Sequence, residues 1–349
     1  MHIPDGYLSP STCVSCAVVM VPAWVTAARK VRTWLQSRSV PLMALGAAFS
    51  FTIMMFNVPI PGGTTAHAVG GGILAVVLGP WAAMLCVTIA LAIQALLFGD
   101  GGIWTLAANC LNMALVLPFT AYGVYRAISG TSALRATRRW VGAAAGGYLG
   151  LTAAALCAGV ELGLQPHLFH TASGVPLYCP YPLSIAVPAM LFGHLLLAGP
   201  LEGVVTALVV RYLQSSDASL LNVHARSAAP GSAPPAGDRK LWWALGVLIL
   251  LSPVGLLARG TAWGEWGVDE LQQMLGYIPA GMQRLAGAWS HAPFGDYALP
   301  GFESSWSAAL IYILCAIVGV GVISLLTHVF WRFQVAERKG AGQPPGSAE

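Results

Sequence analysis

Residues 306–330, WSAALIYILCAIVGVGVISLLTHVF, run for 25 positions without one Asp, Glu, Lys or Arg. At about 1.5 Å per helical residue such a run reaches about 37 Å, more than the roughly 30 Å of a bilayer's hydrocarbon core. No backbone amide can be left unpaired there, so the run is read as a transmembrane helix. Working outward, comparable stretches lie at about 10–28, 40–56, 67–79, 80–98, 103–125, 140–163, 182–210 and 240–258. The third is short and thinned by Gly70-Gly71-Gly72, and Pro80 separates it from the fourth. Apolar residues make up 56% of the chain, charged residues 9%, and mean hydropathy is +0.70. The fold class is therefore an all-α polytopic membrane protein, a seven-helix unit followed by two further transmembrane helices, with the lipid bilayer as its solvent.

The basic residues set the orientation. Of 17, all but Arg259 and Arg284 fall in alternate connections: Arg29, Lys30, Arg32 and Arg38; Arg126, Arg135, Arg138 and Arg139; Arg211, Arg226, Arg239 and Lys240; Arg332, Arg338 and Lys339. The positive-inside rule makes those connections cytoplasmic, which places the N-terminus outside and the C-terminus in the cytoplasm of a prokaryotic inner membrane. Asp100, Glu265, Asp269, Glu270, Asp296 and Glu303 then lie on the outer face. The net charge of +4 reflects topology and is no nucleic-acid footprint.

Residues 214–238, QSSDASLLNVHARSAAPGSAPPAGD, lack an apolar period and read as a cytoplasmic tether. The expected units are 1–213, a linker over 214–239, and a two-span unit over 240–349 with an outer loop at 259–305 carrying Trp263, Trp266, Tyr277 and Trp289.

The start of the chain, MHIPDG, carries the chemistry. A cleaved signal peptide has basic residues before its apolar run; here Asp5 precedes and Arg29-Lys30 follow, so the first helix is expected to stay. The bulk of His2 predicts that Met1 is retained, with a free amine. That amine, the deprotonated His2 amide nitrogen and the His2 imidazole can close five- and six-membered chelate rings on one ion, placing three nitrogens in a plane. His67, in PIPGGTTAHAVGGG at 59–72, can supply a fourth from the same side of the membrane. Four nitrogens in a square suit Ni(II) or Cu(II), whereas Zn(II) prefers a tetrahedral set. The plainer reading makes His2 incidental and His67 a hydrogen-bonding histidine at a helix end.

Catalytic motifs are thin. GxSxG, HExxH and GxxxxGK[ST] are all missing, and none of the three lysines follows a glycine. The chain is read as no enzyme, with any ATP hydrolysis in separate subunits and no organic cofactor. Cys13 and Cys16 form a CxxC, read as packed small hydrophobes or as a redox or metal pair.

The segments MHIPDGYLSP, GGTTAHAVGGGILAVVLGPW, ALLFGDGGIWTLAANCLNMA and HLLLAGPLEGVVTALVV, in order across about residues 1–212, resemble the CbiM/NikM family. These are substrate-binding S components of energy-coupling-factor ABC transporters for nickel and cobalt. The resemblance implies that Ni(II) or Co(II) is the transported substrate, held by Met1, His2 and His67. It implies partners as well: a transmembrane coupling subunit and cytoplasmic ATPases. The second unit, through GTAWGEWGVDEL and APFGDY, resembles the NikN-like companion subunit, and that fusion favours nickel. A cobalt importer serving cobalamin biosynthesis is the alternative.

Other ionisable groups within the spans are functional or paired. Glu161, His194 and Glu202 read either as interhelical hydrogen-bond partners or as groups for metal passage or coupling. Together they define the remote alternative of an intramembrane metalloenzyme. His167 and His170 form either an outer metal-gathering pair or part of a solvated loop. Asp5, Asp100 and Asn109 are candidates to fix the terminal ligands from behind. The small residues at 142–147 and 193–198 are expected to permit close contact with partner helices.

Overall fold

Apolar runs bounded by glycine and proline dictate where each helix begins and ends. A computed structural model describes residues 1–34, 39–60, 64–222, 238–258, 260–289, 291–302 and 304–340. In chain order the helices are α1 (Pro10–Trp34), α2 (Ser39–Met54), α3 (Gly71–Leu78), α4 (Pro80–Phe98), α5 (Leu106–Ser129), α6 (Thr137–Leu168) and α7 (Leu183–Ser216). After these come α8 (Asp238–Leu251), α9 (Val268–Leu275), α10 (Ala280–Leu285) and α11 (Ser305–Gly340). The one sheet among the described residues is a small hairpin, β1 (Val58–Ile60) against β2 (Thr64–Ala66), with Pro59 opposite Thr65. It delivers the chain to His67.

Among the described residues seven helices are long and apolar enough to cross a membrane, and the segment Val40–Met54 is a shorter apolar helix. The protein is an all-α, multi-pass membrane protein. The third expected span is the exception. Only Gly71–Leu78 is helical there, eight residues or about 12 Å, too little to cross about 30 Å of hydrocarbon. Instead α3 packs on α4 as a hairpin turned at Gly79-Pro80. Its top, at His67, and the end of α4, at Asp100, therefore share one end of the bundle.

That end is opposite the basic one. Ser9 meets Gln165 where α1 begins and α6 ends, while Lys30 near the far end of α1 lies 4.4 Å from the Trp81 ring near the start of α4. Gln214 donates to the carbonyls of Leu134 and Ala136 at the same far end. Arg38, Arg226 and Glu303 lie outside the described residues.

Two expectations change. The chain is still helical at 214, through Ser216, and a short turn over Ala218–Asn222 follows with Leu220 and Leu221 buried; residues 223–237 of the expected tether lie outside the described ones. Gly142, Gly147 and Gly193, expected to face partner helices, serve contacts within the chain. A methyl on Gly142 would meet the Tyr125 carbonyl at 3.2 Å, one on Gly147 the Glu202 carbonyl at 2.9 Å, and one on Gly193 the Ile60 side chain at 2.6 Å. Those glycines let α5, α6 and α7 approach until their backbones touch.

Candidate metal centre

The N-terminal segment is threaded into the bundle end, with Met1 5%, His2 3% and Ile3 2% exposed. Backbone groups buried this way need partners, and side chains supply them. The Ile3 N–H donates to Asn109 Oδ1 at 2.8 Å, and the Ile3 carbonyl accepts from Asn109 Nδ2 at 3.1 Å and from the Thr105 hydroxyl. Asp5 accepts from the backbone N–H groups of Ile103 and Thr105, each at 3.1 Å. Gly102 lies so close beneath this carboxylate that any Cβ there would overlap it. Burial raises the Asp5 pKa, and these backbone hydrogen bonds oppose the rise. The segment is locked to the start of α5 and the turn before it.

Three nitrogen-bearing groups converge at its tip. The Met1 amine lies 2.6 Å from Glu265 Oε1, and His2 Nδ1 lies 3.0 Å from Asp100 Oδ1. The His67 ring stands 5.0 Å from that of His2, centre to centre, with planes 24° apart. His67 Nδ1 is 3.1 Å from the Ala68 carbonyl, so Nδ1 carries the proton and donates, leaving a lone pair on Nε2. Both His2 Nε2 and His67 Nε2 are buried without a hydrogen-bond partner. Burial holds His67 well below the ordinary imidazole range, helped by the nearby amine charge and His2. Its ring is neutral and ready to bind a cation.

Asp100 carries the negative counterpart. Burial would raise its pKa, but His2 and a hydrogen bond from the Tyr297 hydroxyl outweigh that and hold it far below the usual carboxylate range. Tyr297 donates to Asp100 Oδ2 at 2.6 Å, and Gln94 Nε2 donates to the Tyr297 oxygen at 3.0 Å. Glu265 and Tyr297 both belong to the loop between α8 and α11. Asp296 and Tyr297 hold φ of +53° and +57°, a left-handed conformation costing about 1–3 kcal/mol per non-glycine residue. Stacking of Tyr297 on Phe98, with centres 4.7 Å apart, helps to hold it. Sequence reading noted Glu265 only as an outer-face acid and quoted Tyr297 only within APFGDY; a pairing across some 200 or more positions has no local signal.

The remaining candidates are scattered. Glu161 accepts from Asn112 Nδ2 at 2.8 Å, His194 Nδ1 contacts the Met190 carbonyl of its own helix at 2.7 Å, and Glu202 faces the turn after His67. These three do not form a shared centre. His167 and His170 are exposed, and His170 Nδ1 contacts the Thr171 carbonyl. Cys13 and Cys16 are free and buried, with Cys16 Sγ 3.8 Å from Glu161 Oε1. Among the described residues no group of three or more His, Cys, Asp or Glu side chains is arranged to hold a metal ion.

Residues 2–220 match the family model of CbiM, described as the cobalt uptake substrate-specific transmembrane region. The chain belongs to the CbiM family. Residues 239–334 match the PDGLE domain, so a NikN-like second unit follows the CbiM region in one polypeptide. The fused nickel transport protein NikMN of Rhodobacter capsulatus is 50% identical over 340 residues, covering 93% of this chain and 95% of that protein. Two solved structures resemble part of this chain. A crystal structure of a truncated transition metal transporter is 57% identical with a TM-score of 0.58, covering 62% of this chain and 99% of that one. A crystal structure of a transition metal transporter is 58% identical with the same TM-score, covering 62% and 93%. CbiM is a family of metal uptake regions, not of enzymes.

Proposed function

We propose that this CbiM-family chain is the substrate-capturing subunit of an energy-coupling-factor importer for Ni(II), with Co(II) as the alternative cargo. The ion is held by the Met1 amine, the His2 amide and imidazole, and His67. The observation carrying this reading is a buried His67 imidazole with an unpartnered Nε2, stacked on the buried His2 ring beside a buried terminal amine. With metal–nitrogen bonds of about 2.0 Å, imidazoles on adjacent corners of a square stand with ring centres roughly 4–5 Å apart, and here they stand at 5.0 Å. Two imidazoles alone are too few donors, which is why main-chain nitrogen is invoked.

Capture exchanges partners. The amine leaves Glu265 for the ion, and His2 Nδ1, the atom that closes the six-membered ring, leaves Asp100. Both carboxylates then stand next to the bound charge. A cavity of about 210 Å³, lined in part by Asp5, Gly101, Glu265 and Trp266, opens beside the terminus and exceeds the roughly 30 Å³ share of one water several-fold. Its lining includes Glu265, the partner of the Met1 amine, which supports it as the approach for an ion. Basic residues at the opposite end support an outward-facing site, and a transmembrane coupling subunit with cytoplasmic ATPases would drive the inward step.

Metal analysis across pH tests this. The Met1 amine and the His2 amide must each shed a proton to bind, and the His2 imidazole must be unprotonated, so full-length protein with an unmodified Met1 should hold one nickel at about pH 8 and release it towards about pH 5, where amines and free imidazoles are ordinarily protonated. A flat profile would point to carboxylate ligation.

Tyr297→Phe gives a second test, because it removes the hydroxyl that orients Asp100. Nickel affinity should fall about 10–100-fold, as on loss of a supporting partner. Calorimetric titration of the full chain checks it, and affinity within twofold of the parent would remove Tyr297 from the site.

A further inference from the structure

Glu202 lies in α7, 135 positions beyond His67 in sequence, yet it is fully buried against the turn that follows that histidine. Its Oε2 accepts from the backbone N–H of Val69 at 2.8 Å and of Gly70 at 2.9 Å, and its Oε1 accepts from the N–H of Gly72 at 2.9 Å. Three backbone donors thus converge on one side chain. Both oxygens are used as acceptors, so the ionised carboxylate is the form that fits.

Local sequence explains why an outside anchor is needed. Gly70 precedes α3 with φ +76°, a left-handed turn that aims successive N–H groups at one point, and it offers no side chain to cap them. A methyl here would also strike the Phe49 ring at 2.7 Å. A buried anion is costly unless fully hydrogen-bonded. At the start of a helix, where peptide dipoles favour negative charge, this one is. The Ser50 hydroxyl also donates to the Val69 carbonyl at 2.8 Å, but hydrogen bonds to a charged group are about twice as strong as such neutral ones.

We infer that Glu202 is a positioning residue for His67: through the 69–72 turn it fixes where the imidazole stands, and it ties that ligand to α7. The inference rests on His67 being a ligand, as proposed above. It has a mechanical corollary. Val204, two positions on and about 200° around the helix, is 54% exposed on the outer face of α7, and Leu208 one turn later is 61% exposed. The helix that presents this apolar face also grips the His67 turn, so a displacement of α7 moves a metal ligand.

A double-mutant cycle tests this on the full chain, with Ni(II) affinity from chelator competition and Cu(II) as a spectroscopic probe. Glutamine has a single acceptor oxygen and turns an amide N–H₂ towards the backbone donors, so Glu202→Gln loosens the turn without emptying the space. Nickel affinity should fall about 10–100-fold, and the Cu(II) resonance should lose one nitrogen coupling, matching His67→Ala. Adding Glu202→Gln to His67→Ala should cost nothing more, because both act on one ligand. An additive loss, or a four-nitrogen Cu(II) signal in Glu202→Gln, overturns the inference. Should that variant fail to fold, Gly72→Ala takes its place. Its methyl meets Glu202 Oε1 at 3.2 Å and the Gly147 Cα at 3.0 Å, and it should show the same spectral loss. A four-nitrogen signal at parental affinity there overturns the inference equally. Unchanged affinity in His67→Ala alone would instead sink the ligand set itself, a failure read without any change at Glu202.

Discussion

Two residues such as Gly-Ser placed before Met1 should abolish metal binding although every side chain is retained. The extension converts the Met1 amine into an amide, which lacks the freely available lone pair, and moves the new amine out of reach of a five-membered ring. It also breaks the ion pair to Glu265, formed at 2.6 Å with the Met1 residue buried. The rest of the anchor is untouched: Ile3 keeps Asn109 and Thr105, and Asp5 keeps the turn at 103–105. Span one and its basic flank are unchanged, so the protein should still insert in the same sense. Nickel stoichiometry on matched native and extended samples gives the answer, with intact mass confirming a free Met1 in the first. One tightly held nickel per extended chain would refute the terminal chelate and move the search to His167, His170 or His194.

His67→Ala should weaken nickel binding by more than the roughly 10–100-fold expected on losing a merely supporting partner. The variant removes the fourth donor of a square and leaves the three-nitrogen chelate of the terminus. Little else depends on the ring. Its Nδ1 meets only the adjacent Ala68 carbonyl, its Nε2 is unpartnered, and the turn beyond is held by Glu202. The fold should persist, as a size-exclusion profile and thermal transition in detergent would report. Preference should also shift, since three nitrogens with an open position no longer impose the square that favours Ni(II). Unchanged affinity would take His67 out of the centre.

Most of the fold was legible because transmembrane helices are specified by length and composition, as 306–330 illustrates. α3 was misread as a crossing segment for the same reason. A buried half-helix of Gly, Ile, Leu, Ala and Val has the composition of a span, and only the packing of its neighbours determines that it stops after eight residues. Of the site, the residue types at His2 and His67 carried a chemical meaning in the sequence, and the structure brings their rings together. The main partners of Asp5, Asp100 and Asn109 were not legible, because they are backbone groups or, for His2 and Tyr297 at Asp100, residues distant in the chain. Glu202 shows the limit most clearly. Its partners are three peptide N–H groups, which no residue identity records. The glycines at 142–147 were recognisable as a close-packing surface, but composition does not say whether the surface faces a partner or another helix of the same chain.

The contact between Met1 and Glu265 spans 264 positions. A ribosome delivers the first of these residues long before the second, and Tyr297 later still. During synthesis the terminus therefore emerges without its counter-ion and without the hydroxyl that steadies Asp100, while the loop that supplies both is still inside the translation machinery. The pocket acquires its finished form only when the last helix is in the bilayer. Maturation of this chain is thus timed by its far end, and a polypeptide cut short before residue 265 would carry Met1, His2 and His67 but neither Glu265 nor Tyr297.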